Sequence, residues 1–154
     1  MIDGRIGKPI LFAALLCGML DIVFAMILTL LRGRHIPDML RYVASGPFPQ
    51  ATGWGAGGTL LGLLVHFTLM AIMVSVFVLL ARGRPHLVDM PVRAGIAYGV
   101  LTYFIMNWAV VPLRFHTPLP PKLLPLATQL FAHIVLVGLP TAFITRRYLR
   151  SSSF

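Results

Sequence analysis

Apolar positions in this 154-residue chain do not alternate with polar ones in the manner of a soluble helix or strand; they run on in four long blocks. The blocks are Pro9 to Leu31, Gly58 to Ala81, Arg93 to Leu113 and Leu123 to Thr145. A bilayer core about 30 Å thick needs about 20 apolar residues as helix, so each block has the length of a membrane span. The pattern predicts an all-α integral membrane four-helix bundle that is one transmembrane domain over residues 1–154. Val23-Phe24-Ala25 has the look of a signal-peptidase site, but the first apolar block continues past it to Leu31, which favours a retained span. The connections differ. Ile36, Met39, Leu40, Val43 and Ala44 recur at helical spacing between Pro37 and Gly46, which predicts a short interfacial helix over 37–45 with Asp38, Arg41 and Ser45 on its polar face. Pro47 and Pro49 stop it, and Trp54 among glycines is placed as an interfacial anchor. Pro118, Pro120 and Pro121 predict a stiff extended third connection. Ser151 to Phe154 read as a frayed tail.

Composition sharpens this picture. The chain is 58% hydrophobic and 11% charged, against roughly a quarter charged for a soluble domain. Thirteen Lys and Arg face four Asp and no Glu, for a formal net charge of +9. The cations sit where apolar blocks end, as expected of residues that meet anionic lipid head groups. No basic stripe interleaved with aromatics points to nucleic acid. Eight cations (Arg5, Lys8, Arg82, Arg84, Arg93, Arg146, Arg147, Arg150) lie on the side of the termini, and five (Arg32, Arg34, Arg41, Arg114, Lys122) lie on the other. That asymmetry puts both termini in the cytoplasm.

Small residues recur four apart at Ala14/Gly18, Gly58/Gly62, Gly95/Gly99 and Gly138/Ala142. One pair per span predicts close backbone approach in a compact bundle. Pro112 and Pro140 should each bend or end a helix locally. Cys17 is the only cysteine and lies within an apolar block, and its bulky neighbour Leu16 argues against a lipidation box.

Polar groups at membrane depth are costly and mark the first place to look for function. Asp21, His66, Asn107 and His133 occupy one span each, with Gln129 one turn from His133. At about 1.5 Å per residue and alternating direction they fall in a common layer. If their helix faces converge, the centre holds a carboxylate, two imidazoles and a carboxamide, with Gln129 beside them. Three readings stay open. The layer can fasten helices together in a non-enzymatic accessory or assembly component that associates with other subunits or with itself. Asp21, His66 and His133 can carry protons or a solute. His66 and His133 can ligate haem b or a metal, although no CxxCH or HExxH accompanies them. His35, Asp38 and His116 form a further candidate for a surface metal site, and His86 reads as a solvated loop residue. Hydrolysis lacks paired carboxylates or a GxSxG serine, and no phosphate-binding glycine loop is present, so no enzyme activity is expected.

Asp21 with Leu30-Leu31-Arg32-Gly33-Arg34, then Ala44-Ser45-Gly46, Gly62 to His66-Phe67, and Met106-Asn107-Trp108-Ala109-Val110-Val111-Pro112-Leu113 resemble an uncharacterised family of small four-span bacterial inner-membrane proteins. The likeness covers roughly residues 10 to 115. It implies a bacterial inner-membrane location and no reaction, substrate or cofactor.

Overall fold

The computed structural model describes residues 4–150, with side chains from residue 6; the expected tail at 151–154 lies outside them. All the regular structure described is helical. Helix α1 (Gly4–Leu31) is followed by α2 (Ile36–Ala44), a 3-10 turn (Pro49–Gly53) and α3 (Gly55–Arg82). A short α4 (Pro85–Asp89) then leads into α5 (Pro91–Phe115) and α6 (Leu123–Arg150). Helices α1, α3, α5 and α6 are long and apolar enough to cross a membrane. Their outward faces carry large apolar side chains such as Leu11, Leu60, Leu64 and Leu79, each more than half exposed. In water such a surface is an aggregation liability; against acyl chains it costs nothing.

Helices α1 and α6 lie side by side at the centre, α3 packs on α1, and α5 packs on α6. The small-residue pairs explain how. Gly138 of α6 meets Gly95 and Gly99 of α5 backbone to backbone, and Gly18 of α1 receives the Phe67 ring of α3. Ala13 and Ala14 pack with Val74 and Val78 between α1 and α3, and Phe77, Ala94, Tyr98 and Ala142 join α3, α5 and α6. The pair Gly58/Gly62 behaves differently from the rest: it receives α2 and the 3-10 turn instead of another long helix. A Cβ on Gly62 would collide with the Leu40 carbonyl, and one on Gly58 with the Ala51 carbonyl.

The short helix is therefore not simply laid on a membrane surface; Leu40 and Ala44 are buried against α3. Pro37 in its first turn and Asp38 beside its amino end suit that end of a helix. Asp38 pairs with Arg41. Ser45, expected on the polar face, is buried and donates its hydroxyl to the Tyr42 carbonyl at 2.7 Å. Helix α4 was not expected; Pro85 starts it, and its buried Val88 joins the Phe77–Tyr98 cluster.

Neither proline ends its helix. Both α5 and α6 switch to π geometry just before the proline, at Ile105–Val110 ahead of Pro112 and at Ala132–Gly138 ahead of Pro140, and then resume. A proline ring clashes with the carbonyl four residues back. A wider turn at that point makes room for it and inserts an extra residue into the helix.

Candidate functional site

The polar residues singled out from the sequence do not all meet. Asp21 on α1 and His66 on α3 do, with Asp21 Oδ2 3.9 Å from His66 Nδ1. The other imidazole nitrogen, Nε2, lies 2.9 Å from the Gly18 carbonyl one turn earlier on α1. Gly18 is also the residue whose missing side chain makes room for the Phe67 ring of α3. The Phe67 ring meets the imidazole edge-on, with centroids 5.4 Å apart.

His133 faces a different helix. Its Nδ1 is 3.1 Å from Thr102 Oγ1 on α5, and the Thr102 hydroxyl is within bonding distance of the Tyr98 and Gly99 carbonyls. The Tyr103 ring lies edge-on to the His133 imidazole. Its hydroxyl has no hydrogen-bond partner although it is buried. Asn107 turns back on its own helix and donates to the Tyr103 carbonyl at 3.3 Å. It lies within the π turn, where the regular ladder is broken, and its side-chain amide serves a carbonyl four residues back. Gln129 is half-buried on α6.

The two imidazoles are thus engaged by different helices, His66 by α1 and His133 by α5. A bis-imidazole haem needs two ring nitrogens turned to one gap, and the Nε2 of His66 is turned to a carbonyl. Among the described residues no group of three His, Cys or Asp gathers at metal-binding spacing, the loop trio His35, Asp38 and His116 included.

Three other side chains, Tyr98, Cys17 and Thr141, complete the pattern, and nothing in the sequence assigns any of them an interhelical role. Tyr98 of α5 donates its hydroxyl to the Met73 carbonyl of α3 at 2.5 Å. Cys17 of α1 lies 3.3 Å from Thr141 Oγ1 and 3.5 Å from the Val137 carbonyl of α6. With His66 to Gly18 and His133 to Thr102, these bonds link α1 to α3, α3 to α5, α5 to α6 and α6 back to α1. Four pairs of long helices are thus each tied by at least one polar contact, while α3 and α6 meet through the apolar Phe77 and Ala142. No family model, curated protein or solved structure matches this chain. What the arrangement can do is therefore argued from its chemistry. Carbonyls and hydroxyls dominate it, and apart from the Tyr103 hydroxyl those named are held by a partner on another helix or their own; the one carboxylate is that of Asp21. It touches no donor closer than 3.9 Å and its side chain is about a quarter exposed.

At the far end from the termini lies a second feature. Helices α3 and α5 touch through Phe77, Met73 and Tyr98, then part, and the gap between them is an apolar cavity of about 700 Å³. Its walls include Leu61 and Val65 of α3 and Met106 and Val110 of α5. Tyr42, Phe115 and Arg114 close the end, with the Tyr42 and Phe115 rings stacked at 4.4 Å. The Arg114 guanidinium donates through Nε to the Gly46 carbonyl at 2.5 Å and through Nη2 to the Ser45 carbonyl at 2.7 Å. Those bonds satisfy carbonyls at the end of α2 and pin that helix to α5.

Proposed function

We propose that this chain is a non-enzymatic multi-pass protein of the bacterial inner membrane, with both termini cytoplasmic, that serves as an accessory or assembly component. In this reading it is a member of the small four-span family that its motifs resemble. The observation that carries the reading is the closed cycle of interhelical contacts. Four polar side chains at membrane depth, His66, Tyr98, His133 and Cys17, are each turned to a partner on another helix. Groups used in that way hold a scaffold in register. The broad apolar outer surface then supplies area for neighbouring subunits or for a second copy of the chain. Extraction from the native membrane in a mild detergent, followed by cross-linking and mass analysis, tests the role. Association well beyond the 16.9 kDa monomer is expected. A monodisperse monomer without partners overturns it. Reporter fusions at each end test the orientation.

The Asp21 carboxylate favours a second reading, a small proton- or solute-conducting path through Asp21, His66 and His133. It is the one strongly polar group of the set without a close hydrogen bond. Proton flux into proteoliposomes decides it: flux that Asp21→Asn abolishes supports conduction, and flux unchanged by Asp21→Asn removes it.

A further inference from the structure

The cavity between α3 and α5 combines two features that seldom meet by chance: walls of apolar side chains and a partly buried guanidinium at the mouth. Among the described residues the carboxylates are Asp21, Asp38 and Asp89, paired with His66, Arg41 and Arg150. Arg114 has none. Its partners are two neutral carbonyls and the Phe115 ring, with Cζ 5.2 Å from the ring centroid. Nε and Nη2 are occupied and Nη1 is left over. A partly desolvated cation without a counter-charge is a poor end state, and an anion at its free edge improves it. Such an anion must bring an apolar body with it, because the space below Arg114 is lined by Leu61, Leu64, Val65, Met106 and Val110.

We propose that this cavity is a binding site for one anionic phospholipid, with an acyl chain between α3 and α5 and the phosphate at Arg114. Volume, polarity and charge agree. About 700 Å³ lies within the range of about 300 to 1,000 Å³ typical of small-ligand sites. Leu64 and Val110 of its lining are also exposed on the outer surface of two helices long and apolar enough to cross a membrane, so an acyl chain can enter there without passing through water. The chain carries a net charge of +9, and Arg32, Arg34 and Lys122 lie in the connections at the same end as Arg114, so the surroundings favour an anionic head group over a zwitterionic one. Because Arg114 also holds the carbonyls at the end of α2, an occupied site steadies the corner where α2, α3 and α5 meet. The proposal rests on the chain crossing a bilayer and is independent of any accessory role.

The test uses the full chain in phosphatidylcholine proteoliposomes that contain a trace of phosphatidylglycerol with a photoreactive diazirine near the end of one acyl chain. Irradiation and peptide mapping should place the label within 61–69 and 106–115, and unlabelled phosphatidylglycerol should compete it away better than added phosphatidylcholine or free inorganic phosphate. Arg114→Gln should weaken that competition about tenfold, the loss expected for one charged hydrogen bond. Thr68→Trp, on the exposed wall of α3, blocks the space without touching Arg114 and should abolish the focused label. That second variant keeps the test decisive if Arg114→Gln loosens α2. Label spread evenly over lipid-facing positions such as Leu79 and Leu101 overturns the proposal, as does equal competition by both lipids. A dimer in the proteoliposomes that Thr68→Trp disrupts, with no focused lipid label, shows a second copy in the cavity instead. No label from any lipid marks failure of the bilayer placement itself.

Discussion

Replacing Gly99 with alanine probes a backbone-to-backbone contact between α5 and α6. A Cβ there would sit 2.5 Å from the His133 carbonyl oxygen and 2.6 Å from the Ile134 Cα. Both are backbone atoms, so no flexible side chain can swing away. The two helices must part by about 1 Å to restore ordinary contact, an overpacking that costs about 1–3 kcal/mol. The same movement stretches the 3.1 Å contact between His133 Nδ1 and Thr102 Oγ1 out of bonding range, worth about 0.6 kcal/mol for an average interhelical bond in a membrane protein. Alanine returns up to about 1 kcal/mol through helix propensity. That last effect is isolated by Gly57→Ala, because a Cβ on Gly57 in α3 meets nothing within 4 Å. The measurable quantity is the gap between the two variants, about 2–3.5 kcal/mol in favour of Gly57→Ala. Reversible unfolding in mixed micelles of a mild detergent and dodecyl sulfate reads it directly. A gap under about 0.5 kcal/mol, within the usual scatter of surface substitutions, refutes the backbone-to-backbone packing of α5 on α6.

Three further outcomes follow from single groups. Tyr103→Phe removes a buried hydroxyl that has no partner, so the variant should be as stable as the parent or more stable by about 1 kcal/mol in the same unfolding assay, whereas a clear loss would reveal a bond to that oxygen. Cys17 is fully buried between α1 and α6; maleimide should label it only after unfolding, and rapid labelling of the folded protein contradicts its placement. Partial desolvation raises the phenol of the half-exposed Tyr42 above its ordinary value, and the nearby Arg114 charge partly offsets the rise. A raised folded-state pKa means full stability below the unfolded value of about 10 and a loss as pH climbs through the folded value. The parent-minus-Tyr42→Phe difference in phenolate absorbance should therefore titrate above about pH 10, and titration below it disproves the desolvation.

How much of this was readable in the residues depends on the kind of signal. The four long helices are written in block length and low charge, signals that need no partner, and the ends at Leu31 and near Ala81 and Leu123 agree with the structure. The Gly58/Gly62 pair shows the limit of pattern: the spacing announces a close approach but not what approaches, and α2 takes the place expected for another span. The layer of Asp21, His66, Asn107, Gln129 and His133 rested on depth, which rise per residue supplies, and on rotation, which it does not. Extra residues at the π turns alter that rotation within α5 and α6, and Asn107 and His133 both lie inside those turns. The contributions of Tyr98, Thr102, Thr141 and Cys17 escaped notice for another reason. A threonine hydroxyl in a helix commonly donates to the carbonyl four residues back, as Thr68 does to Leu64 and Thr128 to Leu124 here, so nothing in the sequence marks the two that meet another helix. Arg114 reads as a loop cation until α2 is seen to fold back over the end of α5.

The π turns themselves can be tested by length. Each residue of a regular helix turns the chain by about 100° and advances it by about 1.5 Å. Deleting one residue from regular helix therefore rotates everything beyond the deletion onto a different face. Deleting one residue from a π turn removes the extra residue and lets the helix close to regular geometry with both flanks kept in phase. Val135 lies on the exposed face of the α6 π turn, between His133, which meets Thr102, and Thr141, which meets Cys17. Leu101 is equally lipid-facing but lies in the regular part of α5, between Tyr98 and Tyr103. Deletion of Val135 should keep Cys17 shielded and preserve one cooperative unfolding transition, at a cost set mainly by Pro140 regaining its clash, about 3 kcal/mol or less. Deletion of Leu101 should expose Cys17 and abolish the transition, because either the Tyr98 contact with Met73 or the Thr102 contact with His133 must be lost. Both deletions failing alike would mean that no extra residue is stored in α6, and both surviving alike would mean that the interhelical contacts do not set the register.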